Sequence, residues 1–228
     1  MQKYFLLSYP KSGRTWLRLI INKYMLTKYN NLNENLLSAN KNLSKISHLC
    51  DLIHTHGGFS WEKDVMNFQD LVFNKTILLT RDIKDTLVSS FFHNKHRRGQ
   101  LNFNGDISDF LKSKYGVKHI KSFYERIKNI EFAYTLDYKD LHYNPFESTK
   151  KILTLLGESV TDEILIGSIK YCRFNNLQKK ELSNEISLSD KQSMTNKNGL
   201  KVREGKIGNY INYLSQKDIE YIEKEFNL

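Results

Sequence analysis

The chain has 228 residues, 35 Lys and Arg against 25 Asp and Glu, a formal net charge of +10, 39% hydrophobic residues and two cysteines. That length buries one sizeable core, and with no Gly/Ser/Pro-rich linker or internal repeat the expectation is a single domain spanning 1–228. Apolar runs fall far short of the roughly 18 residues of a membrane span, and Cys50 and Cys172 are too few and too separate for a disulfide framework or a cysteine-rich zinc site. With no signal peptide read ahead of the first strand, a cytoplasmic protein without an integral membrane segment is expected. The positive charge suits polyanionic surfaces, and equally an enzyme with a highly anionic donor and an anionic product.

From the N-terminus, Leu6-Leu7-Ser8-Tyr9-Pro10-Lys11-Ser12-Gly13-Arg14-Thr15-Trp16 joins an apolar run through a tight polar turn to a helical pattern. Trp16, Leu17, Ile20, Ile21 and Tyr24 then recur at helical spacing, so the free N–H groups of the helix start face the turn. Those donors and the helix dipole favour a phosphate-like anion. Lys11-Ser12 precede Gly13, the reverse of the Walker order, which argues against an ordinary ATP or GTP loop.

The Asn-rich stretch from Asn30 to Asn42 is expected to be an exposed loop. A second strand, Asp51 to His56, places His54 and His56 on one face and Thr55 on the other, and either imidazole is a candidate general base. His-x-His also suggests a metal, with His48, Cys50 or Asp51 nearby, but no ligand spacing completes such a set. A third strand, Lys75 to Thr80, leads into a helix over Asp82 to His96. Arg81 leaves the strand end and Ser89 follows two turns later, so that a guanidinium fork and a hydroxyl grip one phosphate. In the plainer alternative Arg81 pairs with Asp85. The run from His93 to Arg98 is either a solvated helix end or a nucleic-acid contact.

Further on, the pattern predicts a helix over Val117 to Ile130 and a strand over Glu131 to Leu136. A helix over Pro145 to Leu156 follows, with Pro at its start and Gly157 as its cap. The polar region from Lys179 to Lys201 is expected to be a long loop, a candidate lid. Strands alternating with helices imply an α/β fold with a mainly parallel sheet flanked by helices, and ligands beyond the strands' carboxyl ends, where Lys11, His56 and Arg81 lie.

The string Tyr9-Pro10-Lys11-Ser12-Gly13-x-Thr15-Trp16 closely resembles the 5′-phosphosulfate loop of sulfotransferases that use 3′-phosphoadenosine 5′-phosphosulfate (PAPS). The segment from Thr80 to His93 resembles that family's 3′-phosphate site. Thr55-His56 resembles its Lys-Thr-His element, with His54 where many members carry Lys. Leu136-Asp137-Tyr138-Lys139-Asp140-Leu141 resembles its Tyr-Glu-Asp-Leu segment, and Val202-Arg203-Glu204-Gly205-Lys206-Ile207-Gly208-Asn209-Tyr210 its Arg-Lys-Gly-x-x-Gly-Asp-Trp loop. The elements occur in the family's order from Tyr9 to about Tyr210.

The resemblance implies a P-loop-like sulfotransferase fold with PAPS as co-substrate, adenosine 3′,5′-bisphosphate as product and no metal. It assigns His56 as the base, Lys11 to the bridging oxygen of the leaving 5′-phosphate, and Ser12, Gly13, Arg14, Thr15 and Trp16 to the 5′ end. Arg81, Ser89, Arg203 and the Gly205 backbone take the 3′-phosphate, with Lys11 and Ser89 also counted with His56 as catalytic. Tyr138 contacts the adenine side, and Trp16 and Phe174 sandwich the base.

Departures are Glu204 in place of Lys, expected to turn outward from the phosphate, and Asn209-Tyr210 in place of Asp-Trp. Lys201 stands where an aromatic often flanks adenine, and Lys201 or Lys206 is expected to supply charge. Arg14 stands where vertebrate members usually carry Thr, a bacterial look. No match to the short dimer motif of the animal enzymes is present, so the oligomeric state stays open. The competing readings are a small-molecule kinase on a related P-loop fold and a non-catalytic basic nucleic-acid-binding module. Phe59, Trp61, Phe91, Phe92 and His93 are expected to line the acceptor pocket. The acceptor is expected to offer a hydroxyl or amine, with a bacterial surface saccharide the leading expectation and peripheral membrane contact if it is lipid-linked.

Overall fold

A computed structural model of the chain describes residues 2–30, 32, 42–59, 67–96, 103–186, 188 and 197–227. Four strands, β1 (Lys3–Ser8), β2 (Asp51–Thr55), β3 (Thr76–Thr80) and β4 (Tyr134–Asp137), form one sheet in the order β2-β1-β3-β4. Every pairing is parallel, with Leu7 opposite Thr55, Ser8 opposite Leu79 and Thr80 opposite Asp137. These registers bring the ends of all four strands to one edge, where the following loops meet.

The strands are short and apolar because both faces are covered. On one face Leu6, Leu52, Ile77, Leu79 and Leu136 pack with α1 (Arg14–Lys28), which contributes Leu17, Ile20, Ile21 and Tyr24. Helices α6 (Pro145–Leu155) and α7 (Asp162–Tyr171) complete that layer. On the other face Phe5, Leu7 and Leu78 pack with α2 (Ile83–His96), α4 (Val117–Ile127) and α9 (Gln216–Phe226). Alternation along each strand therefore splits one apolar run between two cores. The remaining helices are α3 (Ile107–Lys112), α5 (Tyr138–Tyr143) and α8 (Phe174–Leu182).

Several boundaries differ from the sequence reading, among them the helix from Val117, which ends at Ile127 rather than Ile130. The fourth strand starts at Tyr134, because the Ala133 N–H donates to the carbonyls of Phe73 and Thr76 and turns the chain first. The region from Lys179 to Lys201 is not one loop: its first residues are the last turn of α8, and Glu181, fully buried, accepts from the N–H groups of Lys201 and Val202 at 2.9 Å each. The lid reading of residues 187 and 189–196 lies outside the described residues, as does most of the Asn30 to Asn42 stretch. Gly157 does end its helix in the left-handed region, at φ 92°.

Candidate active site

A cavity of about 700 Å³ opens at the carboxyl ends of the strands. The turn between β1 and α1 forms its floor. Lys11 adopts φ 75° there and Gly13 φ 98°. Gly13 is required on two counts, since a Cβ in that left-handed conformation would also lie 2.4 Å from Tyr138 Cδ2. Gly13, Arg14, Thr15 and Trp16 all reach the cavity wall. Ser12 does not lie on that wall. Its hydroxyl is buried and donates to the Tyr9 carbonyl at 2.9 Å, so it shapes the turn.

His56 follows β2. Its Nδ1 lies 2.7 Å from the Ser8 carbonyl, which only accepts, so Nδ1 carries the proton and Nε2 holds the lone pair. Arg14 Nη2 sits 2.6 Å from that Nε2. Burial, then Arg14, then Lys11 and Arg18 hold the His56 pKa well below the ordinary histidine value, against the raising effect of the Ser8 hydrogen bond. His54, behind it, is buried with neither ring nitrogen partnered among the described residues. Burial first, then Arg18, Arg14 and His56, depress its pKa as well. His54 is not on the cavity wall, whereas His56 is.

Arg81 leaves β3 as the parallel register requires. One of its Nη atoms donates to the Lys11 carbonyl at 3.0 Å, its guanidinium lies 4.5 Å from the centre of the Tyr138 ring, and its buried Nε has no partner among the described residues. The simple Arg81–Asp85 pairing is absent among the described residues. Asp85 instead accepts from the N–H groups of Gly208 (2.7 Å) and Tyr210 (3.1 Å), pinning the C-terminal loop to α2. Ser89 faces the cavity from the same helix, and His93 one turn on accepts from Lys11 Nζ at 3.4 Å.

The C-terminal loop closes the far wall. Arg203 stacks 3.9 Å above the Phe92 ring and donates to the Tyr213 hydroxyl at 3.0 Å. Glu204 does not turn outward. It pairs with Arg203 at 2.9 Å and accepts from Tyr213 and Asn209, because the guanidinium and these two donors satisfy a half-buried carboxylate better than solvent does. Gly205, at φ 62°, takes the Phe174 ring where a Cβ would lie 2.2 Å from it. Trp16, Tyr138, Phe174, Lys201 and Lys206 line the same cavity.

Among the expected acceptor-side aromatics only His93 lines this cavity. Phe59 and Phe91 are buried, edge-on to Phe123 and Phe92 respectively, so both serve the core; Phe92 carries Arg203, and Trp61 lies outside the described residues. Residues that sequence reasoning missed include His142, whose Nε2 donates to the Gly205 carbonyl at 3.0 Å, and Arg18 and Arg173 in the wall. Among the described residues no cluster of three or more His, Cys, Asp or Glu has the arrangement of a metal site. No helix there is long and apolar enough to cross a membrane.

Comparison with known proteins gives one consistent answer. A flavonol 3-sulfotransferase of Flaveria bidentis is 26% identical over 250 aligned positions, covering 96% of this chain and 79% of its own length. Sulfotransferase 1E1 of Bos taurus is 25% identical, over 92% and 77%. The structure of the mouse sulfotransferase SULT7A1 complexed with PAP aligns with a TM-score of 0.67 at 22% identity, over 99% of this chain and 82% of that one. A retinol dehydratase in complex with androsterone and inactive cofactor PAP aligns at 0.59 and 18% identity, over 100% and 80%. The model of the sulfotransferase domain family matches residues 1–227, and the chain belongs to that family.

Proposed function

We propose that this enzyme transfers the sulfuryl group of PAPS to a saccharide hydroxyl, with His56 as general base. The observation that carries the base assignment is the Ser8 carbonyl on His56 Nδ1, which fixes the basic lone pair on Nε2 at the cavity wall. The depressed pKa keeps the ring neutral at pH 7, the form a base requires. The acceptor oxygen loses its proton to Nε2 while attacking sulfur in line, and adenosine 3′,5′-bisphosphate leaves. Lys11 neutralises charge on the bridging oxygen. The 3′-phosphate falls to Arg81, Ser89 and Arg203 with the Gly205 backbone, and the partnerless Arg81 Nε supports an anion there. Adenine fits between Trp16 and Phe174, with Tyr138 beneath. A sulfuryl group carries less charge than a γ-phosphoryl group, so ammonium, hydroxyl and N–H donors replace the Mg²⁺ of phosphoryl transfer. The family membership decides against the kinase and nucleic-acid-module readings.

The saccharide assignment rests on the bacterial look of the turn and on the Asn/Lys/Ile-rich composition, which also support a bacterial enzyme. His56→Ala is expected to lower kcat by about 10²–10⁴-fold with PAPS and a competent acceptor, leaving adenosine 3′,5′-bisphosphate affinity nearly intact. Undiminished turnover would reject the base assignment.

A further inference from the structure

We infer that Arg14 caps the catalytic base until a sulfonate arrives, so that the donor itself releases His56. The inference rests on the His56 reading above. The two side chains meet across the cavity floor, Arg14 from the first position of α1 and His56 from the end of β2. With Nδ1 committed to the Ser8 carbonyl, neutral His56 has one lone pair, and Arg14 Nη2 donates to it at 2.6 Å. An acceptor hydroxyl needs the same lone pair. The two uses exclude each other, so Arg14 must move before transfer.

A sulfonate supplies the reason to move. Lys11, Arg14 and His56 border one cavity, and a guanidinium binds an anionic oxygen pair more strongly than a neutral imidazole. PAPS brings that sulfonate and adenosine 3′,5′-bisphosphate does not. In the donor complex Arg14 therefore holds the sulfuryl oxygens and His56 is uncapped; once the sulfated product departs, Arg14 returns and the base is closed again. The sequence of events orders substrate use, with PAPS before acceptor. It also sheds light on a Thr-to-Arg departure from the pattern of vertebrate members: Thr is too short to reach from this position to His56.

The charged and titratable groups that bear on His56 are Arg14 and Arg18 of α1, Lys11 of the turn and His54 of β2. Removing Arg14 leaves the other three in place, which isolates its effect. The test is calorimetric titration of wild type and Arg14→Thr with PAPS and with adenosine 3′,5′-bisphosphate, no acceptor present, together with the His56 protonation midpoint by NMR. Arg14→Thr should weaken PAPS binding about tenfold while changing bisphosphate affinity less than twofold, and should raise the His56 midpoint of the free protein. In wild type, PAPS should raise that midpoint more than the bisphosphate, whose 5′-phosphate lacks the sulfonate, does. Equal loss of affinity for both nucleotides, or a midpoint unmoved by the substitution, would overturn the inference. If Arg14→Thr does not fold, Arg14→Lys serves: without the planar fork it should still weaken PAPS more than the bisphosphate, and equal weakening overturns the proposal. Full turnover by His56→Ala would remove the base assignment but not the sulfonate contact, which the two affinities read separately.

Discussion

Lys11 adopts φ 75°, a left-handed conformation that costs a non-glycine residue about 1–3 kcal/mol. The turn holds it there through the Ser12 hydroxyl on the Tyr9 carbonyl and Arg81 on the Lys11 carbonyl. Short-range chemistry of this kind was legible in the sequence: Lys11, Gly13, His56 and Arg81 are placed by one turn and three strand ends. The direction of the Ser12 hydroxyl was not, because it depends on the turn's dihedral angles. The buried histidines have a consequence for acid stability. Their folded pKa values lie below the unfolded value of about 6.5, so the unfolded chain binds more protons. The stability they contribute is complete above pH 6.5 and is lost as pH falls through the folded values, at up to about 1.4 kcal/mol per pH unit for each ring. Urea unfolding should therefore show stability falling between pH 7.5 and 5.5, and His54→Asn should reduce that slope. An equal slope in the variant would contradict the assignment.

At the level of elements, the strands and helices α1, α2, α4 and α6 followed periodicity because each buries one face against the sheet. Helices α3, α5, α7, α8 and α9 were missed, the short ones because tertiary contacts rather than long apolar patterns hold them. The same holds for the clamps on the C-terminal loop. Asp85 reaches Gly208 and Tyr210, His142 reaches Gly205, and Glu181 reaches Lys201 and Val202, all across long gaps in sequence. No local pattern announces such pairs; four residues after Arg81, Asp85 reads locally as that arginine's partner. Asp85→Ala removes the acceptor of two N–H bonds at once, each worth about 1.5–3 kcal/mol to a charged group. Hydrogen exchange at the Gly208 and Tyr210 amides should accelerate at least tenfold, and donor affinity should fall as Arg203 loses its fixed position. Unchanged exchange at both amides would show that the loop is held by other means.

Across the whole molecule the excess of positive charge is concentrated where the chemistry is. Lys11, Arg14, Arg18, Arg81, Arg173, Lys201, Arg203 and Lys206 line one cavity whose acidic members are Asp85 and Glu204. A donor with phosphates at two ends and a sulfonate at one of them matches that excess of cations, and both ends of the nucleotide are expected to be read. Composition alone had left nucleic acid and membrane surfaces open; the parallel sheet gathers these cations at its carboxyl edge. The aromatic residues show the opposite lesson, since Phe59, in the loop after β2, and Phe91, on α2, looked like pocket walls and are core; neither a loop position nor the spacing on a largely buried helix tells the two apart. The most direct test of the account is calorimetric titration of the metal-free protein with adenosine 3′,5′-bisphosphate, with AMP and ATP as comparators. Tight binding that depends on the 3′-phosphate is predicted, with AMP weaker by about 10-fold or more for each charge-assisted hydrogen bond that it cannot make. Equal affinity for the three nucleotides would contradict the donor site described here.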